Sequence, residues 1–191
     1  MFSDWLSMLR RWWLWIVVFQ LAILAFWLVS QGLTAESQVQ RRAEKFRLAI
    51  ADKNPEKARR MVSERYRDKW DMNPDELGLA VKDVTSQFLS LTVQWVDPVI
   101  VAADGKATIT ARAKVDGRPL TPVGNMMLNA ANQLREPFVF RWEKEGWWPW
   151  TWRLVAIENV DYEFPSGYTP GMFSDNRPSL EEAMQRAAEQ Q

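Results

Sequence analysis

A long uncharged segment near the start of the chain constrains its fold more than any other feature. Residues 12–33 read WWLWIVVFQLAILAFWLVSQGL and carry no charged side chain. About 20 consecutive apolar residues in a helix span the roughly 30 Å hydrocarbon core of a bilayer. A cleaved signal peptide is the alternative, but it has a shorter apolar core followed by a small-residue cleavage site. The segment therefore predicts an uncleaved single-pass transmembrane helix after a short tail, residues 1–11.

The residues at both ends of this segment are of the kinds that anchor membrane helices. Indole rings favour the headgroup region, and basic residues flank the apolar core. The predicted anchor residues are Arg10, Arg11, Trp12, Trp13, Trp15 and Trp27. Basic residues also follow the segment, but folded domains translocate largely regardless of charge. We therefore expect the helix to contact membrane lipid in a cell inner membrane, with the C-terminal domain on the periplasmic side.

Composition restricts the chemistry available to the domain. The chain has a formal net charge of zero and contains neither cysteine nor histidine. Thiolate and imidazole metal ligands and the commonest general base are thus missing from the sequence. Basic and acidic residues alternate over residues 41–69, which is typical of solvated helix faces rather than a nucleic-acid surface. We expect no cofactor, no metal, no nucleic-acid partner and no assignable catalytic residues.

Three helices, or two with a kink, are predicted before any strand. A polar stretch at residues 35–46 leads into helical spacing, in which Phe46, Ala49 and Ile50 fall on one face. The Asn54-Pro55-Glu56 and Asn73-Pro74-Asp75-Glu76 stretches each combine a capping residue, a proline at the first helical position and an acid in the first turn. Glu76 stands at the capping-box position of the third helix. The predicted apolar stripe of that helix runs to Phe88.

The pattern then changes to a period of two, which indicates strands. Residues 106–115 alternate strictly between apolar and polar side chains, as in a half-buried antiparallel strand. Asp104-Gly105 and Asp116-Gly117 are predicted turns, and Asp97-Pro98 is predicted to end a strand. Residues 124–134 fit either a short helix or an irregular crossover.

The most aromatic stretch, EKEGWWPWTW at residues 143–152, is predicted to form a hairpin. A three-residue loop at 144–146 places Trp148 opposite Trp142 and Trp150 opposite Phe140. The face so formed would be core, since each indole can bury on the order of 200 Å². Trp147 lies on the opposite face and is the expected exposed exception. Pro149 cannot donate to a ladder and therefore requires a bulge or an edge position.

Helices followed by long antiparallel strands, ending in FVFRWEKEGWWPWTWRLVAIEN, resemble the nuclear transport factor 2-like superfamily. The resemblance covers residues 37–162 and implies an α+β fold in which helices pack on a curved antiparallel sheet to form a cone. The extra WWPWT before Trp152-Arg153-Leu154 departs from the superfamily pattern. With the anchor, the layout is similar to the bitopic inner-membrane assembly factors of type IV secretion systems. Residues 163–191 are expected to form an extended arm and a short C-terminal helix that opens at Ser179.

Two functions are compatible with these features. The first is a membrane-anchored, non-enzymatic interaction domain of a cell-envelope complex, which binds other envelope proteins or itself. The alternative is a small-molecule binder, or an enzyme of the isomerase or hydratase type, that uses the cone cavity. That alternative requires a pocket carboxylate hydrogen-bonded to a tyrosine. The candidate cavity or partner-surface residues are Tyr66, Asp97, Trp147, Tyr162 and Tyr168.

Overall fold

The structure, a computed structural model, describes residues 12, 13, 15–26, 34–148 and 150–174. Residues 12, 13 and 15–26 are helical, and Trp12, Trp13 and Trp15 are exposed. Within the described ranges no helix is both long and apolar enough to cross a bilayer. The predicted span also includes residue 14 and residues 27–33, which lie outside those ranges. The same is true of the N-terminal tail with Arg10 and Arg11, of Trp27, and of the predicted C-terminal helix.

Four helices of the domain begin at the capping signals in the sequence. They are α1 (Ala35–Ala51), α2 (Pro55–Arg59), α3 (Pro74–Ser86) and α4 (Pro122–Gln133). Asn54 and Asn73 cap α2 and α3 as predicted, and Asn73 forms the capping box with Glu76. Residues 124–134 are thus mainly helical, the first of the two readings of that stretch. The α3 helix ends before Phe88, which begins a strand instead.

Four antiparallel strands form one sheet in the order β1-β2-β3-β4. They are β1 (Phe88–Ala103), β2 (Lys106–Pro119), β3 (Phe138–Lys144) and β4 (Trp152–Glu158). The alternation in β2 is confirmed, because Ala107, Ile109 and Ala111 are buried between less buried neighbours. Helices pack on this buried face, so the predicted α+β class is correct.

Two predicted turns prove to have different roles. Asp104-Gly105 does form the β1–β2 turn, with positive φ angles of 52° and 73°. The predicted turn at Asp116-Gly117 is wrong, since both residues lie inside β2. A Cβ at Gly117 would stand 2.4 Å from the Ser90 carbonyl oxygen, so glycine there permits close approach of β1 rather than chain reversal.

The prediction that Asp97-Pro98 ends a strand is also wrong. These residues form an irregularity within β1, between the pairs Val96–Arg112 and Val99–Thr110. Asp97 has a φ of 49°, and the proline has no N–H to donate to β2. A bulge accommodates both features and lets the strand continue for several residues.

The predicted register of the aromatic hairpin is wrong. Trp142 pairs with Leu154, and Lys144 pairs with Trp152, so residues 145–148, 150 and 151 lie in the loop between the strands. Pro149, predicted to need a bulge or an edge position, lies outside the described residues. The Thr151 hydroxyl lies 2.8 Å from the Gly146 carbonyl oxygen and 2.7 Å from that of Trp148. The single hydroxyl proton is shared between the two carbonyl oxygens, and that of Trp148 also accepts from the Thr151 N–H at 3.2 Å. Trp148 and Trp150 therefore take no part in the β3–β4 pairing.

The core assignment for this hairpin is only partly correct. Phe140, Trp142, Trp152 and Leu154 are buried, as predicted. Trp150, predicted to lie in the core, is 59% exposed, and Trp148 is half-buried in the loop. Trp147 is 71% exposed, which confirms its predicted exposure.

Candidate functional site

Large aromatic side chains occupy the space between helices and sheet. Trp142 and Trp152 are each 1% exposed, and Phe46 of α1 packs edge-to-face on Trp142 with ring centroids 6.1 Å apart. Trp95 and Phe140 stack at 5.3 Å on the same side of the sheet. The Trp142 indole N–H has no acceptor among the described residues. The interior is therefore occupied by the protein's own side chains.

The α3 helix carries a fully buried carboxylate, Asp83, which sequence reasoning did not single out. One of its oxygens accepts from the Tyr168 hydroxyl at 2.9 Å and from the Gly171 N–H at 2.8 Å. The other accepts from the N–H groups of Phe173 and Ser174, at 3.1 and 2.7 Å. A carboxylate offers about four lone-pair sites. All of them are used to hold the segment after β4 onto the domain.

That segment, residues 159–174, packs on the domain through aromatic rings. We call it the arm. Phe164 stacks on Tyr168 at 4.8 Å and meets Trp70 edge-to-face at 5.3 Å. Tyr162 also contacts Phe164, at 5.0 Å, so the structure brings two of the candidate tyrosines together. Burial, followed by the hydrogen bond to Asp83, raises the pKa of Tyr168 far above its ordinary value. A phenol in this setting stays protonated and supports the arm.

A second tyrosine–carboxylate pair lies in the loop before α3. The Tyr66 hydroxyl donates to Asp68 at 2.9 Å, and the ring is 1% exposed. Asp68 also accepts from the backbone N–H groups of Trp70 and Met72. Burial above all, with the charge of Asp68, raises the pKa of Tyr66. This carboxylate is likewise engaged in shaping a turn.

The other two candidates lie apart from the tyrosines. Asp97 is at the exposed bulge of β1, and Trp147 is in the β3–β4 loop. The five predicted residues therefore do not converge on one cavity. The tyrosine–carboxylate arrangement that a cavity enzyme needs is present twice, but each carboxylate is already satisfied by backbone donors.

The outer face of the sheet carries exposed valines. Val99 and Val101 of β1 are 60% and 63% exposed. They pair with Thr110 and Thr108 of β2, which lie on the face opposite the buried Ile109. Val139 of β3 pairs with Thr110 and lies on the same face of the sheet. We call this set the valine face. The valine face thus groups two exposed valines with the half-buried Val139, with threonines between them. Apolar residues grouped on one surface are candidates for an interaction site.

An open groove runs between α1 and β1, with a volume of about 1120 Å³. Arg41 and Lys45 line one wall, and Trp95 lines the other. Neither Arg41 nor Lys45 makes an ion pair with any residue that the structure describes. Arg47, in the same wall, is held by Glu44 and by the Val93 carbonyl oxygen. The groove is thus cationic and accessible.

The sequence matches no protein-family model. It matches no curated protein.

Solved structures similar to the chain include proteins described as nuclear transport factor 2-like or cystatin-like. A structure from Bdellovibrio bacteriovorus is 14% identical with a TM-score of 0.47, and the match covers 63% of this chain but only 39% of that one. A nuclear transport factor 2-like protein from Pseudomonas putida is 10% identical with a TM-score of 0.47, over 64% and 83% of the two chains. A cystatin-like protein from Nostoc punctiforme is 12% identical, with a TM-score of 0.45 over 63% and 85%.

Proposed function

We propose that this protein is a single-pass inner-membrane protein whose periplasmic α+β domain binds a protein partner in a cell-envelope complex and catalyses no reaction. The observation that carries the proposal is the valine face. Val99 and Val101 are exposed β-branched residues on a regular strand, where they offer apolar surface at little conformational cost. The resemblance to the nuclear transport factor 2-like superfamily, and to the layout of type IV secretion assembly factors, agrees with a scaffold role.

The interior supports a non-enzymatic role. Trp142 and Trp152 are each 1% exposed and fill space between the helices and the sheet. Asp83, the buried carboxylate bonded to a tyrosine, accepts four hydrogen bonds and has no lone pair left for a substrate proton. A general base must reach the proton it removes, either directly or through one water.

The anchor is tested separately from the partner surface. Because the chain has no cysteine, a single Met126→Cys substitution on the exposed part of α4 provides one labelling site. The full-length chain should stay with membranes after alkaline extraction, and the cysteine should react with a membrane-impermeant maleimide in intact spheroplasts. Release of the chain from membranes contradicts the anchor, and labelling only after lysis reverses the orientation.

The partner surface is tested by a charge on the valine face. Val101→Lys should dissociate the complex that the full-length protein forms when solubilised from its own membranes. Met126→Lys is the matched control, because Met126 is 70% exposed on another part of the surface. The measurement is the sedimentation of the complex on a density gradient. A Val101→Lys protein that sediments like the wild type refutes the proposal.

The alternative, a small-molecule function, draws its support from the groove beside α1. An anionic ligand would find Arg41 and Lys45 without competing ion pairs, with Trp95 opposite. Substitutions distinguish the two proposals. If the valine face is the functional surface, the Arg41→Ala, Lys45→Ala double variant should restore the phenotype of a deletion strain as fully as the wild type does. Loss of function in this variant, with Val101→Lys unaffected, favours the ligand.

A further inference from the structure

The loop between β3 and β4 groups three indoles at the surface of the domain, two of them exposed and the third half-buried. Trp147 and Trp148 have ring centroids 4.0 Å apart, and Trp148 stacks on Trp150 at 4.8 Å. Trp147 and Trp150 are 71% and 59% exposed. Trp148 and Trp150 are nearly parallel and Trp147 is tilted by 36° against Trp148, so the three rings lie side by side and form one aromatic surface. We call this loop, residues 145–151, the tryptophan loop.

Hydrogen bonds hold the described residues of the tryptophan loop. The Glu145 N–H donates to the Thr151 carbonyl oxygen at 3.1 Å, and the Thr151 N–H donates to that of Trp148 at 3.2 Å. The Glu145 carboxylate accepts from the Ser63 hydroxyl at 2.5 Å. A loop fixed in this way holds its indoles exposed at little further entropic cost on binding.

The loop lies at the end of the domain where the chain enters from the N-terminal segment. The Trp152 indole donates to the Gln38 side chain in the first turns of α1, at 3.3 Å. Arg42, one turn further on, donates to the Trp152 carbonyl oxygen at 3.2 Å. The opposite end of α1 lies beside the start of β1, where Lys53 donates to the Phe88 carbonyl oxygen. The predicted anchor and the tryptophan loop therefore share one end of the domain.

A direct contact joins the loop to the apolar segment. The Phe26 ring lies 6.3 Å from the Trp148 ring, edge-to-face. Phe26 belongs to the uncharged run 12–33, and that helical segment exposes its own apolar side chains. The exposed indoles thus continue the apolar surface of the predicted membrane segment.

We propose that the tryptophan loop inserts into the lipid headgroup region and forms a second membrane contact, which fixes the orientation of the domain on the bilayer. This inference rests on the membrane anchor of the proposed function. Indoles partition to the interface because the ring is apolar and the N–H finds a polar partner there. Interfacial side chains of this kind enter the headgroup–acyl boundary by roughly 5–10 Å. The bilayer thereby covers an aromatic surface that water would otherwise surround.

The test uses the full-length chain in phospholipid vesicles, with a fluorescent label on one introduced cysteine. Trp147→Cys and Trp150→Cys are labelled separately, so that each variant keeps two indoles of the loop. Met126→Cys is the control, because α4 packs on the far part of β2, where Asn132 bonds to Val115. Nitroxide groups placed on the lipid headgroup or high on the acyl chain should quench most of the emission at 147 and 150, and little at 126.

The outcomes separate this inference from the anchor. Co-flotation of the protein with the vesicles is measured first. A protein that does not float with the vesicles overturns the anchor and the inference together. A chain that floats while the labels at 147 and 150 are quenched no more than the label at 126 overturns the loop contact alone. Labels shielded from aqueous iodide but not quenched by lipid place the loop against protein, and this result also overturns the inference.

Discussion

The buried carboxylate of Asp83 should control whether the arm stays docked. In an Asp83→Ala variant, four donors lose their acceptor: the Tyr168 hydroxyl and the N–H groups of Gly171, Phe173 and Ser174. Hydrogen bonds to a charged group contribute about 1.5–3 kcal/mol each. Their sum is not the expected loss, because the arm can leave the domain and let water satisfy its donors.

The expected cost is therefore that of breaking one buried charged network, about 3–5 kcal/mol. Opening of the arm should become more frequent by roughly two to three and a half orders of magnitude, at 1.4 kcal/mol for each factor of ten. Asp83→Asn keeps the shape but presents an NH₂ group to two of the donors, so it should lose most of the same stability. Asp75→Ala on the same helix is the matched control, because that side chain is 84% exposed and its ion pair to Arg59 contributes about 0–1 kcal/mol.

Hydrogen exchange of the arm measures this directly, since local opening sets the exchange rate. Chymotrypsin provides a second measurement, because Tyr168 and Phe173 of the arm are held against the domain by Asp83 and should be cleaved faster once the arm opens. In both assays Asp83→Ala should expose residues 159–174, and Asp75→Ala should behave like the wild type. An arm that remains protected in Asp83→Ala refutes the reasoning.

Three further predictions concern the stability of the domain, and each is measured by denaturant unfolding of the full-length protein in detergent. Trp152→Ala should lower the free energy of unfolding by about 3–5 kcal/mol, the usual range for emptying a large aromatic site. Trp147→Ala should change it by about 0.5 kcal/mol or less. Equal losses in the two variants would contradict the β3–β4 register, which buries Trp152 and exposes Trp147. Gly117→Ala should destabilise the sheet by about 1–3 kcal/mol, since its Cβ would lie 2.4 Å from the backbone of β1. Gly78→Ala in α3 should instead stabilise the protein by up to about 1 kcal/mol, because its Cβ would have no contact closer than 3.9 Å. Burial raises the pKa of all three tyrosines above the ordinary value of 10.0. Their contribution to the free energy of unfolding is therefore complete below pH 10 and is lost as the pH rises above it. The loss is at most about 1.4 kcal/mol per pH unit for each tyrosine. Phenolate absorbance in the folded protein at its ordinary pKa would contradict this last prediction.

Local signals in the sequence located the starts of α2 and α3 and the buried face of β2. Asn54 and Asn73 cap the helices that their neighbouring prolines and acids predicted, because capping depends on a few adjacent residues. Alternation in β2 assigned the correct face to Ile109. These features do not depend on which distant strand becomes the neighbour.

The errors arose where a distant partner decided the structure. Asp116-Gly117 has the composition of a turn, yet β1 continues alongside it and needs the space that glycine leaves. Hydrogen bonds of Thr151 close a loop within the aromatic stretch. Trp150 therefore lies outside the strand, and not on the buried face that the alternating pattern predicted. Asp83 gave no signal of its own, since its four donors lie some 85 to 91 residues further along the chain.

Crosslinking in intact membranes tests the central proposal, that this domain acts through its outer sheet face, most directly. Single cysteines at Val99, Val101 and Met126 give three otherwise identical proteins, because the natural chain contains none. A crosslinker with a maleimide at one end and a photoreactive diazirine at the other should convert the Val99→Cys and Val101→Cys proteins into a discrete crosslinked species, whose mass shows whether the partner is a second copy or another protein. Met126→Cys should remain largely monomeric. Crosslinking at 99 and 101 that does not exceed the level at 126 would contradict the account.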